Sequence, residues 1–226
     1  MNKGGLILLI ILILIVIGLI FFSENREDDE FVRVNMPNDK GDVMTEYPDA
    51  EVYVVDNSGS TLAWVGGKTF VKDWRHNGTV NISEGRVFVE DGTVVGGDFM
   101  IDMNTITNLD LEEEQNKQLV NHLKSSDWFD VENYPTARFV IIDVETLDGP
   151  NLEITGDLTI KGVTNQVSFE ATVDLTDETA TAKANFNIDR SEYGVKFGSL
   201  SFFSDLVDEN VVGDEMEFSL DLVAVR

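Results

Sequence analysis

LEITGDLTI, residues 152–160, alternates apolar and polar side chains from end to end. Leu152, Ile154, Gly156, Leu158 and Ile160 fall on one side of an extended chain, with Glu153, Thr155, Asp157 and Thr159 on the other. A strand points successive side chains to opposite faces, so the pattern is that of a sheet with one dry and one wet surface. The rhythm recurs elsewhere. In 167–175 Val167, Phe169, Ala171, Val173 and Leu175 oppose Ser168, Glu170, Thr172 and Asp174, and in 215–224 Met216, Phe218, Leu220, Leu222 and Ala224 form the apolar set. Further strands are predicted near 51–56, 60–67, 79–90, 94–104, 136–146 and 179–189, separated by turn signals such as Glu90-Asp91-Gly92 and Asp148-Gly149-Pro150. Eight or more strands of this kind predict an all-β sandwich or barrel.

One segment breaks the alternation. Residues 112–124 open with Glu112, Glu113 and Glu114 and close with His122 and Lys124, charges that complement the two ends of a helix dipole. Leu119 and Leu123 are four apart with Val120 alongside, a narrow apolar stripe for docking. Trp128 and Phe129 follow directly. A single helix laid on an antiparallel barrel covers an opening or an edge. Two rings at its end either complete the core beneath it or face a ligand cavity.

The N-terminus has a different character. Leu6 to Phe22 is a run of about 17 apolar residues broken only by Gly18. With Gly4 and Gly5 it reaches about 28 Å as a helix, close to the thickness of a hydrocarbon core. Lys3 precedes the run and Glu24, Glu27, Asp28, Asp29 and Glu30 follow it, which places the N-terminus in the cytoplasm. The residues around Ser23 lack the small-x-small pattern of a cleaved signal peptide. Residues 1–22 are therefore expected to be a cytoplasmic stub and transmembrane anchor, 23–50 an acidic linker, and 51–226 the folded domain. The expected location is the cytoplasmic (inner) membrane, crossed once, with the domain on the extracytoplasmic or periplasmic side.

Composition narrows the partners. The 226 residues carry 42 acidic against 16 basic side chains, a formal net charge of −26, which repels phosphate backbones and makes nucleic acid an unsuitable partner. There is no cysteine, so disulfides, thiolate metal sites and cysteine nucleophiles are excluded. No G-x-S-x-G elbow, P-loop or H-E-x-x-H helix is present. Asp143, Glu145 and Asp148 have the look of a calcium loop, but Ile154 stands where its bidentate glutamate belongs, so a hairpin turn is expected there. No metal or cofactor site emerges.

Four blocks, HNGTVNISEGRVFVEDGTVVGGDFMIDMNTI (76–106), HLKSSDWFDVENYPTARF (122–139), GDLTIKGVTNQVSF (156–169) and IDRSEYGVKFG (188–198), resemble in order and spacing the YceI-like polyisoprenoid-binding proteins. The likeness covers about residues 51–226. It implies an extended, lipocalin-like antiparallel β-barrel of about eight strands with one covering helix. The elongated apolar interior would hold a long isoprenoid chain, such as a polyprenyl phosphate or a quinone-type lipid. Relatives are often dimeric, so a homodimer is open. Most are exported by a cleaved signal peptide, whereas this chain is expected to keep its apolar segment as an anchor.

Alternation nominates Phe99, Ile101, Met103, Phe139, Ile141, Phe169 and Phe186 as cavity wall, with Trp128 and Phe129 at one end. The alternative for each is a solid barrel core. GKTFVKDWRH (67–76) gathers Lys68, Lys72, Arg75 and His76 in an otherwise acidic chain, which makes it the candidate site for an anionic head group or else a solvated hairpin. The expected function is non-enzymatic binding, sequestration or transport of an isoprenoid-type lipid. The competing functions are a structural or adhesion module that works through its outer face and, behind it, an enzyme acting on such a lipid.

Overall fold

The alternating segments form nine antiparallel strands in a computed structural model that describes residues 47–226. They are β1 (Glu51–Val55), β2 (Thr61–Gly67), β3 (Arg75–Glu90), β4 (Thr93–Asp102), β5 (Thr136–Thr146), β6 (Asn151–Ile160), β7 (Val163–Leu175), β8 (Thr179–Asp189) and β9 (Glu215–Val225). The expected anchor, 1–22, and most of the expected linker lie outside the described residues. Among the described residues no helix is long and apolar enough to cross a membrane.

The sheet closes on itself. Each strand from β3 to β9 pairs with the next, and β1 and β2 both bridge β3 to β9. β1 pairs with the far end of β3, Val54 opposite Arg86, and β2 with its near end, Leu62 opposite Val80. The two run in the same direction and share one position in the ring, interrupted at residues 56–60. Nine strands thus fill eight positions, and closure removes the open edges that would otherwise invite pairing with other chains.

All of the long connections lie at one end of the barrel. At the opposite end lie short turns: 91–92, 147–150 and 176–178. Asp91 and Gly92 both have positive φ, 50° and 75°, as the tight hairpin between Glu90 and Thr93 requires. At the other, the helix end, lie the β2–β3 loop, the β4–β5 connection with helix α1 (Glu113–Lys124), the β6–β7 turn at Lys161-Gly162, and the β8–β9 loop over 190–214. α1 begins one residue later than expected and carries Glu113 and Glu114 in its first turn and His122 and Lys124 in its last.

The buried interior has two parts. One, at the helix end, includes Trp64, Met103, Leu123, Phe129, Ile160 and Met216; the other, at the turn end, includes Tyr53, Val87, Ile154, Ala171, Ala180 and Ala224. Phe186 and Leu62 pack against both. On the outside, the Tyr47 ring stacks on Phe88 at 5.5 Å, over Gly96, where a Cβ would sit 2.6 Å from that ring. This holds the start of the described chain against the barrel near its turn end, so residue 47 belongs to the domain rather than to a free linker.

Candidate functional site

The inner faces of the strands build one wall. Phe99 of β4 and Phe139 of β5 are direct cross-strand partners with ring centroids 6.3 Å apart. Phe139 lies 5.7 Å from Phe169 of β7, Phe169 stacks on Phe186 of β8 at 4.5 Å, and Phe186 on its partner Phe218 of β9 at 5.5 Å. These five rings form a continuous ladder around more than half of the barrel. β6 contributes Gly156 beneath it: a Cβ there would stand 2.4 Å from the Phe139 ring and 2.6 Å from the Val140 carbonyl oxygen. The glycine in the alternating stretch is thus what lets Phe139 cross its strand to meet Phe169.

The ladder borders a cavity of about 170 Å³ that runs through both parts of the interior, from Met103, Ile106 and Phe129 at the helix end to Val94, Ile154 and Ala171 toward the turn end. Along β8 it extends from Ala180 to Ile188, about 27 Å of strand or roughly 20 Å along the barrel axis at the usual tilt. Every lining residue is apolar or aromatic except Thr181, and none is titratable. The slot is narrow, and its free volume lies below the roughly 300–1,000 Å³ of most ligand pockets. A long chain fits only if lining rings rotate. Ala180 and Ala182 on β8 are small residues that leave space.

Eight of the nine nominated cavity residues line this slot: Phe99, Ile101, Met103, Phe129, Phe139, Ile141, Phe169 and Phe186. Met103 does so from a 3-10 turn rather than from the expected strand, since β4 ends at Asp102, whose carboxylate accepts from the Asn104 amide. Trp128 does not line it. Phe218 and Trp64 do, and neither was singled out from sequence. Phe218 lies on the apolar set of 215–224 and was available from the alternation. Trp64 was masked because Gly66 and Gly67 blur the pattern of β2. Its indole N–H is buried without a hydrogen-bond partner, as is that of Trp128.

The two adjacent rings take different duties. Phe129 closes the helix end of the slot, and Trp128 stands one layer further out, in contact with Phe129 at 6.0 Å and Phe197 at 6.1 Å. His122 meets Trp128 and Phe197 edge-on, at 6.2 and 4.4 Å, a packing role beyond the dipole role expected of it. The turn that follows the rings has Asp130 at φ 49°, a left-handed conformation that aspartate tolerates better than most residues, with its carboxylate accepting from Asn133 at 3.0 Å. Behind Trp128 lies Arg190, 1% exposed, which donates to the Gly213, Val195 and Val212 carbonyls at 2.9, 2.8 and 3.1 Å and pairs with Asp214 at 3.2 Å. Burial pulls the Arg190 pKa down, against the charges of Asp214 and Asp189. Asp189-Arg190-Ser191 is thus a structural ion-pair site at a strand end, with Asp189 capping Ser191.

The four nominated cations do not converge. Lys68 donates to the Glu209 carbonyl at 2.7 Å, Lys72 faces Asp73 at 3.9 Å in solvent, and Arg75 pairs with Glu217 at 2.7 Å. His76 Nδ1 lies 2.9 Å from Asp110. Burial raises the Asp110 pKa, but hydrogen bonds from His76, Asn108 and the Asn77 amide outweigh it and hold the carboxyl below its ordinary range. None of the four lines the slot. Two of the four, Arg75 and His76, are met by acids from elsewhere in the chain, and Lys72 by its neighbour Asp73.

Known proteins share this architecture. The UPF0312 protein of Pseudomonas putida is 32% identical over 102 residues, 42% of this chain and 51% of that one. Protein YceI of Escherichia coli is 38% identical over 69 residues, 30% and 36% of the two chains. The matches span about half or less of the length of these curated relatives. Among solved structures, Burkholderia cenocepacia BcnA superposes with a TM-score of 0.60 at 26% identity, over 75% of this chain and 99% of that one. A polyisoprenoid binding domain from Saccharophagus degradans superposes with a TM-score of 0.54 at 15% identity, over 76% and 97%. The second likeness is one of fold alone. The family model of the YceI-like domain matches from Tyr53 in β1 to Ala224 in β9 and takes in every strand of the barrel, and the chain therefore belongs to the YceI-like domain family.

Proposed function

We propose that the barrel binds a long isoprenoid-type lipid, carries out no chemistry on it, and holds or transports it at the extracytoplasmic face of the membrane. The observation that carries this is the slot itself, which runs along the barrel, is lined by five consecutive phenylalanine rings and has no charged group in its wall. Burial of a tail there gains roughly 25 cal/mol per Å² of apolar surface removed from water, so affinity grows with chain length and needs no polar contact. Support comes also from the polyisoprenoid binding domain among the structural neighbours. A wall with Trp64 as its single unpaired buried donor fits a neutral, quinone-like head better than a phosphate, which needs several cations.

The test is organic extraction and native mass spectrometry of the full chain purified in mild detergent. A bound lipid of isoprenoid composition, recovered in near-stoichiometric amount, is the expected result. Recovery of an empty barrel in repeated preparations, with added polyprenyl phosphate or quinone failing to bind, would sink the proposal. An adhesion module working by its outer face would give that outcome.

A further inference from the structure

The apolar side chains on the surface are unevenly placed. Among the described residues twelve large apolar side chains are exposed; Val54, Ile142 and Val225 lie along or beyond the turn half of the barrel, eight are on the loops and turns of the helix end, and Val163 opens β7 at that end. Phe70 and Trp74 stand on the β2–β3 loop, and Phe197, Phe202, Phe203 and Val207 on the β8–β9 loop, each 37–57% exposed. The two loops are tied into one surface by Lys68 paired with Val212, by the Thr69 amide donating to the Val211 carbonyl at 3.3 Å, and by Lys68 donating to Glu209. Lysines lie along the rings: Lys68 Nζ is 4.7 Å from the Trp74 ring centre and Lys196 Nζ is 5.0 Å from that of Phe202. Rings with a lysine stem beside them, on loops rather than on a flat face, suit the boundary between lipid tails and water.

We propose that this aromatic rim seats the helix end of the barrel in the interfacial layer of a phospholipid bilayer, and that the lipid of the slot exchanges there. The inference rests on the lipid-binding reading and on the N-terminal apolar run. That run makes a bilayer the apolar surface always within reach. Between Phe22 and Tyr47 lie 24 residues, which span up to about 80 Å when extended. Tyr47 is fixed near the turn end. The longest strand that borders the slot, β3, has 16 residues, about 53 Å of strand and roughly 40 Å along the axis. The connecting chain is therefore long enough for the far end of the barrel to touch the same bilayer. With a net charge of −26 the docking is apolar rather than Coulombic, so a zwitterionic surface serves.

The full chain, reconstituted in phosphatidylcholine vesicles with brominated acyl chains, supplies the test. Trp64 and Trp128 are buried, so Trp74 alone of the three tryptophans can meet bromine. The expected result is a loss of tryptophan emission relative to unbrominated vesicles, abolished by W74F and reduced by the F202S/F203S double change. A chain that resists alkaline washing of the vesicles yet shows no quenching overturns the rim and keeps the anchor. Quenching by a chain that washes off keeps the rim and removes the anchor. Absence of both overturns both, and a concentration-dependent dimer without quenching assigns the rim to a second copy and overturns the inference. Quenching by a chain from which no lipid is ever recovered supports the rim and defeats the lipid-binding reading alone.

Discussion

The guanidinium of Arg190 lies 4.7 Å over the ring of Trp128 while its N–H groups donate to three backbone carbonyls of the β8–β9 loop. One buried cation thereby joins the outer half of the plug to the loop that covers it. Removing one member of a buried charged network leaves the rest unpaired, so Arg190→Ala is expected to destabilise the full chain by about 3–5 kcal/mol. Arg190→Lys should rescue little, because a lone ammonium cannot reproduce a planar fork that serves three carbonyls and a ring face. Urea unfolding of both variants checks this; a lysine variant as stable as the parent would reduce the guanidinium geometry to a detail.

Phe129 and Trp128 should separate in function though both are buried. Each alanine substitution is expected to cost about 3 kcal/mol or more, the usual penalty for a deleted core ring. Only Phe129 touches the slot, so Phe129→Ala should also speed lipid loss, while Trp128→Ala should lower stability with a smaller change in off-rate. Equal acceleration by the two would show that the plug acts as a single unit.

The barrel was legible because its strands are half-wet: alternation gave the inner and outer faces, and the interruption at 112–124 gave the helix. What stayed hidden depends on contacts distant in sequence. The sequence neighbours Lys68, Lys72, Arg75 and His76 look like a cluster, but Glu217 and Asp110, which lie against Arg75 and His76, arrive from β9 and the α1 approach. Adjacent Trp128 and Phe129 cannot be sorted into outer and inner rings without the β8–β9 loop, whose Arg190 and Phe197 pack on Trp128 alone of the two. The nine predicted segments are the nine strands present, but that they fill only eight places in the ring, because β1 and β2 share one, is fixed by pairing with β3 and β9 and by nothing local.

Tyr193 gives a pH test of the closed end. It is 1% exposed, and burial, with the nearby Glu192 charge adding to it, pushes its phenol up to about 12. Below pH 10 the phenol is protonated in both folded and unfolded chains and its contribution is complete. Between about pH 10 and 12 the unfolded chain ionises first, so stability should fall by up to about 1.4 kcal/mol per pH unit from this residue. Tyr193→Phe should flatten that part of the profile in denaturant titrations. An unchanged slope would mean that the phenol reaches water.

For the cation loop, the pairing of Lys72 with Asp73 and of Arg75 with Glu217 leads to a definite expectation. Exposed pairs of this kind contribute about 0–1 kcal/mol, so Lys72→Gln with Arg75→Gln should leave stability nearly unchanged. Retention of a neutral quinone and of a polyprenyl phosphate with equal tails should change little as well. Selective loss of the phosphate lipid would instead return the head-group role to the loop.

The strongest test of the slot fills it without disturbing the rest. Ala182 of β8 faces the cavity and, with Ala180, leaves room on the turn-end side of Phe186. Ala182→Leu adds three carbons where free volume already exists, so it should be neutral or cost at most about 1–3 kcal/mol if the neighbouring rings resist. The slot totals only about 170 Å³, and a larger side chain at Ala182, near its turn end, should fill and shorten it. A tail that must run the length of the slot then loses its path. The variant should therefore fold with nearly parental stability yet come out of purification with little or no lipid, as read by extraction and native mass spectrometry. Parental lipid content would show that the ligand, if any, lies elsewhere. The complementary change Phe186→Ala widens the slot further along β8 and should raise lipid uptake while lowering stability by about 3–5 kcal/mol. Opposite signs of stability and binding in this pair are what a ligand slot demands, whereas a solid core would lose both together.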